Sequence, residues 1–106
     1  MKTCWGQELL PKSVTNKIPP LYAQEKLGDD AVVYVKYFVA GWTWFATEYN
    51  PEDGTMFGKV YSDMEPDGEL GYFNINELAK LKVQNMFPVE RDINFKPTKL
   101  RDCKNR

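Results

Sequence analysis

The side chains best equipped for chemistry in this chain are carboxylates, since Glu48, Glu69, Glu90 and Asp92 fall in or beside segments that read as strands. Brought together on one sheet face, such groups act as acid and base or hold a hard cation. Little else supports catalysis. There is no histidine, which excludes Ser-His-Asp and Cys-His nucleophile systems and removes the commonest general base near neutral pH. Two cysteines at opposite ends, Cys4 and Cys103, fall short of the four ligands of a structural zinc site. Neither the phosphate loop GxxxxGK[ST] nor a GxGxxG turn after a strand occurs. The run Asp63-Met-Glu-Pro-Asp-Gly-Glu69 has the acidity of a calcium loop but not the DxDxDG spacing, and it reads as a solvated turn. The expectation is a non-enzymatic protein with no catalytic, cofactor-binding or metal-ligating residue and no cofactor.

Charge and aromatic content point instead to a macromolecular partner. The net charge of −1 divides into +1 over residues 1–45, −7 over 46–77 and +5 over 78–106. An acidic face of this kind imitates the phosphate row of DNA and suits a basic channel. The basic C-terminal segment is the alternative, a weak and salt-sensitive contact to nucleic acid. Aromatic residues recur along adjacent strands, where ring pairs stabilise a sheet; an exposed subset would anchor a protein partner. A row of rings that stacks bases also needs a positive groove, and these strands carry only Lys36 and Lys59. The candidate partner-binding residues are therefore Trp42, Trp44, Glu48, Glu65, Asp67, Glu69, Glu90, Arg91 and Asp92.

The elements that position them follow from period and punctuation. Leu9, Leu10, Val14 and Ile18 make one helical stripe over 7–17, with Pro11 in the first turn and Pro19-Pro20 as the stop. Ala31 to Val39 alternates as a central strand, Ala40-Gly41 turns the chain, and Trp42 to Tyr49 returns as its hairpin partner. Strict alternation puts Trp42, Trp44, Ala46 and Glu48 on one face. After the turn Asn50 to Gly54 comes a strand Met56 to Tyr61, then the acidic turn Asp63 to Gly68 and a short strand Glu69 to Phe73. Asn74 and Glu77 form a capping-box-like pair for a helix to about Asn85 that buries Ile75, Leu78, Leu81 and Val83. Pro88 ends it, Val89 to Phe95 is a last strand, and Lys99 to Arg106 a frayed basic tail. This predicts an α+β fold, an antiparallel meander sheet of about five strands with two short helices packed on one face.

At 106 residues and 42% hydrophobic, the chain suits one domain over 1–106 with a single core. The longest uncharged run, Tyr37 to Thr47, is 11 residues, short of the roughly 20 needed to span a bilayer. Met1 to Leu10 lacks the apolar stretch of a signal peptide. The expected setting is the cytoplasm, where Cys4 and Cys103 stay reduced; a bridge between them would need Cα atoms within about 7 Å.

Six blocks then stand out in order: Ile18-Pro-Pro-Leu-Tyr-Ala-Gln-Glu25, Val33-Tyr-Val-Lys-Tyr-Phe38, Trp42-Thr-Trp-Phe-Ala-Thr-Glu48, Phe57-Gly-Lys-Val60, Glu69-Leu-Gly-Tyr-Phe73, and Glu90-Arg-Asp92 with Phe95-Lys-Pro97. Over residues 18–97 the chain resembles a family of small single-domain proteins of unknown function encoded on bacterial plasmids, conjugative elements and phages. The resemblance implies no activity, but it implies a setting in which small proteins occupy host defence components. An inhibitor of a host nuclease, of the anti-CRISPR or antirestriction type, is the corresponding expectation. A plasmid-maintenance protein associated with nucleic acid and a carboxylate-dependent enzyme are the alternatives.

Overall fold

Tyr37 shows how the sequence builds its core: it is fully buried, and its hydroxyl donates to the Leu9 carbonyl at 2.7 Å, so a large ring enters the interior with its polar tip satisfied. The structure, a computed structural model, describes residues 8–83 and 87–103.

In chain order the elements are α1 (Lys12–Thr15), a 3-10 stretch (Glu25–Asp30), β1 (Val32–Val33), β2 (Val35–Val39), β3 (Trp42–Tyr49), β4 (Thr55–Ser62), β5 (Glu65–Asn74), α2 (Ile75–Lys80), β6 (Lys82–Val83), β7 (Phe87–Pro88), β8 (Glu90–Arg91), β9 (Thr98–Lys99) and a second 3-10 turn (Leu100–Asp102). Five strands form an antiparallel sheet in the order β5-β4-β3-β2-β8. Four of them follow the chain as a meander, and β8 returns to pair with β2, Tyr37 opposite Arg91. The position at the middle of the sheet belongs to β3, whose interior residues are buried on both faces, while β2 lies one place from the edge.

Two apolar clusters occupy the two sides. Val35, Tyr37, Val39, Trp44, Ala46 and Met56 pack with Leu9, Ile18, Val89 and the α2 residues Ile75 and Leu78. Phe45, Tyr61 and Val33 pack with Ala31, Leu100 and Cys103. The tail is therefore not frayed up to Cys103: β9 pairs with β1, and Leu100 and Cys103 are core residues. Both α-helices pack against the first cluster, α1 through Val14 and α2 through Ile75 and Leu78, while Ala31 and the 3-10 residue Leu100 cover the second side.

Local differences from the sequence reading have local causes. The first helix is a single turn that starts after Pro11, whose missing N–H no helix interior tolerates. Asn74 caps α2 by accepting from the Asn76 N–H at 2.8 Å. That helix stops at Lys80, where Leu81 turns extended and stays partly exposed instead of buried; the expected burial of Val83 and helix to Asn85 lie outside the described side chains. The expected strand Val89 to Phe95 shrinks to β8, because Asp92 accepts from the Asn94 N–H and turns the chain. The hairpin between β2 and β3 has positive φ at both Ala40 (28°) and Gly41 (89°), the twist that two-residue hairpins favour. The acidic run is a turn only at Asp63 and Met64: β5 begins at Glu65, and Pro66, Asp67 and Gly68 bulge opposite Tyr61. Gly68 permits this, since a Cβ there would lie 2.7 Å from the Tyr61 ring.

Candidate binding site at the β5 edge

Strand β3 carries a bulge that decides what Glu48 faces. Its register against β4 runs Ala46 opposite Gly58 and then Glu48 opposite Phe57, so Thr47 is an extra residue. Gly58 lets the strands meet here, where any Cβ would fall 1.8 Å from the Phe45 carbonyl oxygen. A bulge re-aims side chains, and Glu48 leaves the Trp44 and Ala46 face to join Thr47 against the loop before β1.

That loop is held by side chains. Glu48 Oε1 accepts from the Tyr22 N–H at 2.8 Å and Oε2 from the Gln24 N–H at 2.8 Å. Gln24 answers with its amide: Nε2 donates to the Thr47 carbonyl at 2.8 Å and the Val32 carbonyl at 3.0 Å, and Oε1 accepts from the Val32 N–H at 2.7 Å. Both residues are buried, Glu48 to 3% exposure. Two backbone N–H bonds to one carboxylate hold Tyr22 at φ 73°, a conformation a bulky residue avoids without such support.

The loop and the sheet enclose a pocket of about 190 Å³. Thr47 and Glu48 lie on the β3 side, Phe57, Leu70 and Tyr72 come from β4 and β5, and Tyr22, Glu25, Ala31 and Leu100 close the rest. Phe57 and Tyr72 meet edge to face at 5.0 Å. Tyr22 and Tyr72 are exposed residues, and the Tyr72 phenol is held above the usual tyrosine range, first of all by a hydrogen bond with Tyr22.

Of the expected site residues Glu48 lies in this pocket and Trp44 is buried, and the rest separate into two groups. Trp42, Glu65 and Glu69 line one hollow of about 260 Å³ with Met64, and Asp67 is exposed nearby on the same strand. Glu90, Arg91 and Asp92 line another, on β8 and the turn after it. There Asp92 pairs with Lys36 at 4.0 Å and Arg91 Nε donates to the Glu8 carbonyl. Since β5 and β8 are opposite edges of the sheet, Glu69 does not converge with Glu90 and Asp92, and the four-carboxylate arrangement does not form. Trp44 is 5% exposed, with its ring stacked 5.7 Å from Trp42; it supports Trp42 rather than presenting a surface. Among the described residues no cluster of three or more His, Cys, Asp or Glu is placed to hold a metal ion, and no helix is long and apolar enough to cross a membrane. Cys103 has no disulfide partner among the described residues; Cys4, and so the question of a bridge, lies outside them.

Tyr22, Gln24 and Tyr72 were not among the expected site residues. Their signal was the blocks Pro-Pro-Leu-Tyr22-Ala-Gln24-Glu25 and Glu-Leu-Gly-Tyr72-Phe, for which periodicity alone offers no role.

Among known families, the sequence model described as Protein of unknown function (DUF2958) matches residues 9–101. The match takes in Leu9 and Leu100, one residue from each core cluster. No curated protein and no solved structure matches the chain.

Proposed function

The chain belongs to the DUF2958 family, and from that premise we propose that it is a non-enzymatic protein that binds a basic protein surface through the β5 edge of its sheet. The observation that carries this reading is the composition of that edge. Glu65, Asp67 and Glu69 are exposed along an outermost strand of ten residues, beside Trp42 and a Met64 that is 87% exposed. Charges on an edge strand also guard against edge-to-edge pairing. A guard has no use for exposed apolar side chains, and Met64, Leu70 and Tyr72 all lie on or beside this strand. Aromatic residues and methionine inside a charged rim are the composition of a protein interface.

The partner that suits the edge has a channel built for phosphates, because the summed field of several carboxylates enters where a nucleic acid would. In the mobile-element setting that the sequence resemblance implies, a host defence nuclease is such a partner. The basic C-terminal residues favour nucleic-acid binding less, since Lys99 and Arg101 both pair with Asp30. Affinity capture from host cells, comparing wild type with the combined Glu65→Gln, Asp67→Asn, Glu69→Gln variant at two salt concentrations, tests the proposal. A partner held by wild type at low salt and lost by the folded variant supports it. Equal retention by both contradicts it.

A further inference from the structure

We propose that the pocket beside Glu48 receives one arginine side chain of the partner, an inference that rests on the β5 edge being the docking surface. Size sets the first limit. At about 190 Å³ the pocket is below the roughly 300–1,000 Å³ of sites for small molecules and cofactors. A nucleotide does not fit, whereas one long side chain does.

Lining and charge choose the side chain. Phe57, Tyr72 and Tyr22 present rings, and Leu70 adds an aliphatic wall. Aromatic faces attract cations, and a flat, weakly hydrated guanidinium stacks on them better than an ammonium does. Among the described residues no basic side chain lines the pocket, while two carboxylates do, Glu25 and Glu48. Glu48 is buried with two backbone N–H bonds, and among the described residues no lysine or arginine pairs with it. Each carboxylate oxygen has a further acceptor position. A cation arriving from outside would meet a carboxylate that has backbone N–H donors but, among the described residues, no cationic partner.

Position ties the pocket to the edge. Leu70 and Tyr72 stand on β5 directly after Glu69, and at about 3.3 Å per residue Tyr72 lies about 10 Å along the strand from Glu69. Leu70 and Tyr72 alternate with Glu69, so the pocket opens on the face opposite the hollow of Trp42 and Glu69, and a partner segment that docks along the edge strand meets both where it wraps that edge.

The experiment is an amide-resonance titration of the full chain with N-acetyl-arginine amide, its uncharged isostere N-acetyl-citrulline amide, and N-acetyl-lysine amide. The arginine probe shifts Tyr22, Gln24 and Tyr72 saturably, and the citrulline probe binds at least about tenfold more weakly. Tyr72→Ala, at an exposed position, weakens the arginine probe about tenfold while the chain stays folded. No saturable shift at these residues overturns the proposal, as does citrulline binding equal to arginine; tighter binding of lysine overturns the choice of arginine. The combined substitution at 65, 67 and 69 leaves probe binding within about twofold, because those side chains do not line the pocket. Loss of partner by that variant with no probe binding in wild type would condemn the pocket alone, and probe binding with full partner retention would condemn the edge alone.

Discussion

Glu48 and Gln24 are 24 positions apart and clasp each other: the carboxylate of Glu48 accepts the Gln24 N–H at 2.8 Å, and the Gln24 amide donates to the carbonyl of Thr47, the residue before Glu48, at 2.8 Å. This clasp fixes the loop that forms one wall of the pocket. Replacing Glu48 by Ala leaves two N–H groups without their acceptor and is expected to destabilise the protein by about 2–4 kcal/mol. Urea unfolding measures the loss, and amide exchange at Tyr22 and Gln24 should quicken more than at Tyr37. Glu48→Gln keeps one acceptor and should cost less than the alanine change.

Removing the residues after Pro97 should unfold the chain rather than trim a tail. Leu100 and Cys103 lie in the second core cluster, and the Leu100 N–H donates to the Ala31 carbonyl at 2.9 Å. Leu100→Ala is expected to cost about 2–4 kcal/mol, by lost burial and the cavity left behind. Circular dichroism of the truncation and a melting curve of the point variant check this pair.

The hairpin was legible because Trp42, Thr43, Trp44, Phe45, Thr47 and Tyr49 are all strand formers and Gly41 supplies one of the two positive-φ positions of the turn before them. The face of Glu48 was not, because one bulge residue, Thr47, moves it across the sheet and nothing in the alternation marks it. The acidic segment was misplaced for a related reason. Pro66 and Gly68 read as turn residues, yet an edge strand accepts proline and a bulge accepts glycine. Trp44 shows the third limit: its type suits an anchor or a core, and only the packing on Trp42 and the first cluster decides.

Stability should decline in alkali. Burial pushes the Cys103 thiol from 9.0 up to about 11, and burial also raises the Tyr37 phenol above its ordinary value, against a lowering by Arg91. Both groups are neutral in the folded state over a range where the unfolded chain ionises. Their contribution is fully present below pH 9 and is lost as pH rises towards about 11 for Cys103. Urea midpoints at pH 7, 9 and 10.5 should fall in that order, and Cys103→Ala should flatten the decline above pH 9.

The central claim is that β5 is the contact edge, and site-specific photo-crosslinking in the encoding cells tests it most directly. A benzophenone amino acid is placed at Asp67 or Leu70 on β5, or at Ile93, which is 68% exposed beyond β8 at the opposite edge. Positions 67 and 70 should each give the same protein adduct, identified by mass spectrometry as a protein with a basic nucleic-acid channel. Position 93 should give none. An adduct formed from position 93, with none from either β5 position, would contradict the account.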